Sequence, residues 1–128
     1  MMKKAFITCC LCCLTAACAP AQSPASAETV EAYLQAVVDR DERSLLRLTC
    51  PEYQSDALIE FDALAQVETV LKDVSCRGAG EDEGAALVQC SGSIASSYGT
   101  EMFEYDLTGR TYRLVAGGDG WLVCGYTR

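Results

Sequence analysis

Apolar residues recur at steps of three and four along residues 28–38, which is the spacing of one face of a helix. Glu28 stands at the start of this run, and an acidic residue in a first turn interacts favourably with the helix dipole. The sequence therefore predicts a helix that begins at Glu28 and buries one face. That face consists of Val30, Tyr33, Leu34, Val37 and Val38.

Two shorter helical segments follow. The first has three leucines on its apolar side and ends before Pro51, because the residue before a proline avoids helical backbone angles. The second is expected to begin after Ser55, whose hydroxyl can cap it. The apolar face of this last helix comprises Ala57, Leu58, Phe61, Leu64 and Ala65.

After about Val67 the spacing of apolar residues changes from nearly four to two, which is typical of half-buried strands. Glycine-rich segments at 80–84 and 117–120 predict turns, and the second is a strong hairpin signal. Alternating runs lie at about 70–77, 86–94, 103–107, 111–116 and 121–126. Helices followed by an antiparallel sheet of four to five strands define an α+β fold.

The first 17 residues have the three parts of a secretory signal peptide. Lys3 and Lys4 give a positive start, Ala5 to Leu14 is an uncharged run of ten residues, and small residues follow. A helix of that length rises only ~15 Å, about half the hydrocarbon core of a bilayer, so it does not span a membrane. Residues 1–17 are therefore the expected signal peptide.

The end of this segment, Leu14-Thr15-Ala16-Ala17-Cys18, resembles the lipobox of bacterial lipoproteins. The resemblance implies a diacylglyceryl thioether on Cys18, cleavage before it and acylation of the new amino group. More than one acyl chain is what stable anchoring needs. The expected location is the bacterial cell envelope, outside the cytoplasm, on a membrane. Because Thr15 stands where the family has leucine, a plain Ala-x-Ala type of cleavage is the alternative.

Residues 18–27 are predicted to be a flexible linker that carries the lipid. The stretch from Ala19 to Ala27 reads A-P-A-Q-S-P-A-S-A, without charge or bulky apolar residues and with two prolines. Such a composition cannot build a core. Residues 28–128 then form a single α+β domain.

Four stretches carry a second resemblance: residues 33–39 (Y-L-Q-A-V-V-D), 48–53 (L-T-C-P-E-Y), 109–115 (G-R-T-Y-R-L-V) and 120–126 (G-W-L-V-C-G-Y). They resemble small bacterial lipoproteins of the nuclear transport factor two-like superfamily, also called ketosteroid-isomerase-like or cystatin-like. The resemblance implies a curved sheet that wraps the helices into a cone with an apolar cavity. Members include isomerases, dehydratases and binding modules, so the fold alone identifies no activity.

The nine cysteines fall into two groups. Five lie at or before Cys18, and four of these fill the apolar signal segment; a metal site there would lack a matching second cluster. The other four predict two disulfides in an exported protein, with three possible pairings. A turn centred near residues 82–83 places Cys76 opposite Cys90 and leaves Cys50 with Cys124. Free buried thiols are the alternative.

Charge and composition narrow the function. Removing residues 1–17 deletes Lys3 and Lys4 and takes the formal charge from −8 to −10. Such a surface repels phosphate backbones, so we expect no nucleic-acid partner. Histidine, the commonest general base and a frequent zinc ligand, is absent. We predict no metal and no cofactor.

An isomerase-type site would pair a carboxylate base with a tyrosine donor in an apolar cavity. The carboxylate candidates are Asp106 and Glu104, but both alternate with apolar residues and are expected to face water while the tyrosines pack inside. The tyrosine candidates are Tyr33, Tyr105 and Tyr112. We therefore predict no catalytic residue.

The sequence favours a non-catalytic binding or interaction module, held at a membrane by its lipid. Its expected partner is a small apolar ligand or an envelope protein. The alternative is an isomerase- or dehydratase-like enzyme with a buried carboxylate and a tyrosine, and a third possibility is a purely interacting module of a larger envelope assembly.

Overall fold

A computed structural model describes residues 24–128, and within them helices precede a five-stranded antiparallel sheet. The α+β prediction is therefore confirmed. The predicted signal peptide, the predicted lipid site at Cys18 and the first part of the linker lie outside the described residues. The helices are α1 (Pro24–Val38), α2 (Glu42–Arg47), a 3-10 turn (Pro51–Tyr53) and α3 (Gln54–Ala63). The strands are β1 (Glu68–Asp82), β2 (Ala85–Tyr98), β3 (Glu101–Asp106), β4 (Thr111–Gly117) and β5 (Gly120–Thr127).

Helix α1 begins at Pro24, four residues before the predicted start at Glu28. Proline suits the first position of a helix, where its missing N–H has no helical partner to lose. Ser26 and Ala27 are buried, and Ala27 belongs to the core. Residues 24–27 are thus part of the folded domain, and the prediction that the linker runs to residue 27 is wrong at this end.

The predicted buried face of α1 is confirmed, because each of its five apolar residues is at most 9% exposed. The predicted cap of α3 is wrong. Tyr53 already has helical backbone angles and ends a 3-10 turn that runs directly into α3, so Ser55 lies inside the helix. The α3 face is partly confirmed, since Ala57, Phe61 and Leu64 are buried whereas Ala65 is exposed. Within residues 24–128 no helix combines the length and apolar character that crossing a bilayer requires.

Strand β2 is the centre of the sheet. One edge pairs with β1 along nearly its whole length. The other edge is shared, because residues 93–98 pair with β3 and residues 86–89 pair with β4, which in turn pairs with β5. The change of partner occurs around Gly92, whose carbonyl accepts a hydrogen bond from the Leu107 amide at 3.0 Å.

The hairpin between β1 and β2 differs by one residue from the expected one. The turn is Glu83-Gly84, both with positive φ as such two-residue turns require, and Glu81 rather than Gly80 lies opposite Ala86. A one-residue irregularity between Gly78 and Glu81 then restores the expected register. Cys76 consequently lies opposite Cys90, as predicted.

The core lies between the helices and one face of the sheet. The segment after α2 also pairs with β5: Thr49 forms a parallel bridge with Val123, and the Cys50 amide donates to the Val123 carbonyl at 2.8 Å. This pairing holds Cys50 next to Cys124. The largest fully buried side chains include Tyr33, Tyr112, Leu34, Leu45, Ile94, Leu107 and Leu114.

Candidate functional site

The two carboxylates named from the sequence line an exposed, polar depression rather than an apolar cavity. Glu104 and Asp106 are exposed on β3, as expected for a solvated face. Glu104 pairs with Lys72 at 2.6 Å, and both side chains are about half exposed. The Asp106 carboxylate accepts a hydrogen bond from the Thr108 amide, which lowers its pKa. Neither residue offers the poorly solvated base that an isomerase-type site needs.

The three tyrosines named from the sequence separate into two environments. Tyr33 and Tyr112 are fully buried and meet edge to face, with ring centroids 6.3 Å apart. Tyr105 is 45% exposed, so the expectation that it packs inside is wrong.

A buried ion pair that sequence reasoning missed stands between the helices and the sheet. Nη1 of Arg110, just before β4, lies 2.7 Å from Oε1 of Glu60 on α3. Their side chains are 6% and 19% exposed. Charged residues this deep are found where they are paired, since an isolated buried charge is costly.

The sequence did contain a signal for this pair. Glu60 follows Ala57 by three residues and precedes Leu64 by four, which places it on the buried stripe of α3. Arg110 precedes Tyr112 by two residues and therefore continues the inward face of β4. A charged residue at each of two core-facing positions is the pattern to look for.

Arg110 is held by more than Glu60. Its Nη1 donates to the Tyr112 hydroxyl at 3.2 Å, and its guanidinium carbon lies 4.3 Å from the centre of the Tyr126 ring, a cation–π geometry. Burial opposes its charge, but Tyr112 and Glu60 outweigh burial and raise the pKa of Arg110. The guanidinium is therefore a fixed positive charge inside the domain.

Three polar atoms around this pair are buried without a hydrogen-bond partner: Nε of Arg110, Oε2 of Glu60 and the hydroxyl of Tyr33. Buried polar atoms are normally satisfied, so each of these carries a free-energy penalty in the folded domain. Burial, assisted by the charge of Glu60, raises the pKa of Tyr33 and raises that of Tyr53 to about 12. Burial likewise raises the pKa of Tyr112 to about 12, against the opposing effect of Arg110.

A cavity of about 200 Å³ adjoins the ion pair. Its polar side is formed by Glu60 and Arg110, and Arg128 stands at its exposed rim. The remaining lining residues are apolar or aromatic: Ala63, Leu64, Ile94, Tyr105 and Tyr126. The arrangement can hold a small molecule by its apolar body while the pair makes hydrogen bonds to a polar end.

The two largest of the other depressions differ in character, and a third of about 260 Å³ on α1 and α2 has only exposed charged residues in its lining. One of about 470 Å³ lies between α1, α2 and the β4–β5 hairpin, and Leu48, Trp121 and four glycine or aspartate residues of the hairpin line much of it. Another of about 460 Å³ is lined by charged and small residues around Gly92. None of these three contains a buried charged side chain, so the cavity at Arg110 is the candidate site.

The predicted cysteine pairs are brought together. Cys76 and Cys90 lie across β1 and β2 with Cα atoms 4.0 Å apart, and Cys50 and Cys124 have Cα atoms 5.0 Å apart. The sulfurs of each pair are at disulfide-bonding distance. Glu52 lies beside the second pair, and these three residues form the metal-type cluster found within residues 24–128. A disulfide occupies both sulfurs and leaves Glu52 as a single ligand, which is too few to hold a metal.

The chain matches no protein-family model, no curated protein and no solved structure. Its class is therefore defined by its own geometry. It is an α+β protein with two cysteine pairs and a small cavity at a buried arginine–glutamate pair.

Proposed function

We propose that this protein is a lipid-anchored module of the bacterial cell envelope that binds a small ligand in the cavity at Arg110 and Glu60. The lipobox-like residues that end at Cys18 support the anchor. Two cysteine pairs at bonding distance are compatible with a protein outside the cytoplasm, where disulfides persist. Helix α1 begins at Pro24, only six positions after Cys18, so a lipid on Cys18 would hold the domain close to the membrane surface.

The proposed fold is the cone of the nuclear transport factor two-like superfamily. Support comes from the order of helices before an antiparallel sheet and from the division of the β2 edge between β3 and β4. A positive φ at Gly92, where that division falls, is consistent with a sheet that bends. The cavity at one end of the helical layer is the feature that such a cone would provide.

The ligand class follows from the lining. The volume of about 200 Å³ is below the ~300–1,000 Å³ of typical drug-sized sites, so it suits a molecule with a single ring or an equivalent aliphatic group. Arg110 and Arg128 outnumber Glu60 among the charged lining residues. The polar end is therefore a carboxylate or an uncharged acceptor rather than a cation. The observation that carries the proposal is the buried Arg110–Glu60 pair, which forms the polar side of this cavity.

The test measures affinities of three probes that share a ring and differ in charge: phenylacetate, phenylacetamide and benzylamine. Ligand-observed NMR with the purified domain should give saturable binding of the first two and at least about tenfold weaker binding of the third, because truncating a buried charge-assisted contact costs that much. The variant Ala63→Leu should fill the cavity from an exposed position at the end of α3. Ala65→Leu is the matched control, because Ala65 is exposed and does not line the cavity. Equal binding to wild type and Ala63→Leu would refute the cavity as the site.

A second candidate is the isomerase- or dehydratase-like enzyme, with Glu60 in the role first considered for Glu104 or Asp106. One observation favours it: Oε2 of Glu60 is buried and unpartnered, and the charge of Glu60 acts on the buried hydroxyl of Tyr33. A carboxylate base and a tyrosine donor are the parts such chemistry uses. Solvent deuterium incorporation into phenylacetone tests it. Deuterium incorporation that Glu60→Gln abolishes would favour the enzyme. An incorporation rate equal to that in buffer would exclude this reaction and leave ligand binding as the proposed function.

A further inference from the structure

Strand β3 carries an exposed aromatic surface that lies apart from the ion pair. All six of its residues are exposed, and Phe103 is 48% exposed although it lies opposite the buried Ser96. Tyr98, at the end of β2, extends the same face and is 63% exposed. We call Tyr98 together with strand β3 (Glu101–Asp106) the β3 surface. Exposed large apolar side chains that adjoin one another commonly mark an interaction site.

The backbone of β3 is as open as its side chains. β3 pairs with β2 on one edge, and within residues 24–128 no strand pairs with its other edge. An open edge presents unpaired N–H and C=O groups, and most proteins block it with lysine, proline or a bulge. The sequence E-M-F-E-Y-D contains neither lysine nor proline, and its pairing with β2 runs without a register shift.

The charge of β3 selects what can pair with it. Glu101, Glu104 and Asp106 are acidic, and the basic residue in contact with them is Lys72, which pairs with Glu104. A second copy of this chain would bring the same carboxylates together, and like charges on adjacent strands are destabilising. The chain's own linker is not a candidate either, because its residues 19–23, A-P-A-Q-S, have no side chain that could cover an aromatic surface.

We propose that the β3 surface binds an extended basic segment of another protein by adding it as a strand to the sheet. Main-chain hydrogen bonds supply the pairing, apolar side chains of the segment pack on Phe103, and lysine or arginine side chains meet the carboxylates. The segment therefore alternates basic and apolar residues. Tyr105 also lines the cavity, but Glu101 and Phe103 do not, so variants at those two positions separate the failure of this interaction from the failure of the proposed ligand site.

The probe is a short synthetic peptide in which lysine alternates with valine. Fluorescence anisotropy with the purified domain should show saturable binding that weakens as salt is raised, and backbone amides of β3 should gain protection from hydrogen exchange. A peptide with glutamate in place of lysine and one with two central prolines should each bind at least about tenfold more weakly. Binding of the proline peptide at full strength would overturn strand addition.

Protein variants locate the surface. Phe103→Ala and Glu101→Lys should each weaken the lysine peptide about tenfold, a typical effect for a central contact. The matched controls are Ile59→Ala, a more exposed apolar residue on α3, and Glu28→Lys, an exposed acid on α1; both should bind within about twofold of wild type. Ala63→Leu should also bind normally because it blocks only the cavity.

Two further outcomes would contradict the proposal. A dimer in sedimentation experiments that Phe103→Ala converts to a monomer would make a second copy the occupant. Binding of a chitin oligosaccharide, with no binding of the peptide, would make the aromatic surface a glycan site. Unchanged peptide affinity in both Phe103→Ala and Glu101→Lys would show that the peptide binds elsewhere.

Discussion

Arg110 and Glu60 stand fifty positions apart in the chain and meet with Nη1 2.7 Å from Oε1 in the interior of the domain. The pair joins α3 to the start of β4, so it connects the helical layer to the sheet. It also forms the polar side of the candidate cavity. Stability and binding therefore depend on the same two side chains.

Breaking the pair on one side should destabilise the domain more than replacing both partners. Arg110→Met leaves the Glu60 carboxylate buried without its counter-charge, and we expect a loss of about 3 kcal/mol in the free energy of unfolding. The double variant Arg110→Met/Glu60→Leu removes both charges and should be more stable than the single variant. Urea denaturation measures the free energy of unfolding of these two variants and of Glu60→Leu alone. A double variant with the summed loss of the two single variants would show that the residues do not interact.

Three buried tyrosines predict a loss of stability at high pH. The pKa values of Tyr53 and Tyr112 are raised to about 12 and that of Tyr33 is also raised, in each case chiefly by burial. A raised folded-state pKa means that the unfolded chain loses its protons first, near the ordinary tyrosine value of about 10. The contribution is therefore complete below about pH 10 and is lost as pH rises towards 12.

The measurement is urea denaturation at a series of pH values, with Tyr112→Phe for comparison. Wild type should lose stability between about pH 10 and 12, and the variant should lose less because phenylalanine does not titrate. Equal slopes for the two proteins would show that Tyr112 titrates alike in the folded and unfolded states.

Gly92 is the position where the sheet tolerates no side chain. Its φ is +91°, and a Cβ there would lie 2.5 Å from the carbonyl oxygen of Asp73 on β1. Gly92→Ala should therefore cost at least about 2 kcal/mol, since a positive φ alone costs ~1–2 kcal/mol in a residue with a side chain. Gly109→Ala is the control: it has no positive φ and no atom within 4 Å of the added Cβ, so its effect should stay within about 0.5 kcal/mol. Equal midpoints of thermal unfolding for the two variants would contradict the predicted clash at Gly92.

The anchor and the cysteine pairs make a joint prediction for the protein purified from its native membrane. Intact-mass analysis should find a chain that begins at an acylated Cys18 and lacks four protons, two for each disulfide. Reduction should then lower stability, by about 3 kcal/mol for Cys76–Cys90 and about 4.5 kcal/mol for Cys50–Cys124 in the chain-entropy view, because the second loop is longer. Cys18→Ser should release the protein from the membrane. A chain that starts at Met1 with free thiols would refute both the address and the bridges.

The spacing of residues along the chain predicts those features of the fold that depend on neighbouring residues. The buried face of α1 follows from a spacing of three and four residues, and the positions of the strands along the chain follow from alternation and turn residues. Their pairing does not follow, because β4 pairs with β2 and not with β3, as a simple meander would require. The pairing of Cys76 with Cys90 was predicted from a turn placed one residue too early. It survived because the irregularity between Gly78 and Glu81 compensates.

Tertiary packing decided the rest. Whether Glu60 is buried depends on Arg110 reaching it from another element, which no local window contains. Alternation on β3 predicted an inward face, but Phe103 and Tyr105 are 48% and 45% exposed. The carboxylates that the sequence suggests, Glu104 and Asp106, therefore lie on an exposed strand and not in the core.

The most direct measurement follows the Nε–H resonance of Arg110 while phenylacetate is added to the isotope-labelled domain. This proton is buried and has no acceptor in the ligand-free protein. The account predicts a saturable shift of that resonance, with backbone shifts confined to α3, β4 and β5, and no shift in Ala63→Leu. A saturable shift elsewhere in the domain, with the Arg110 resonance unchanged, would contradict it.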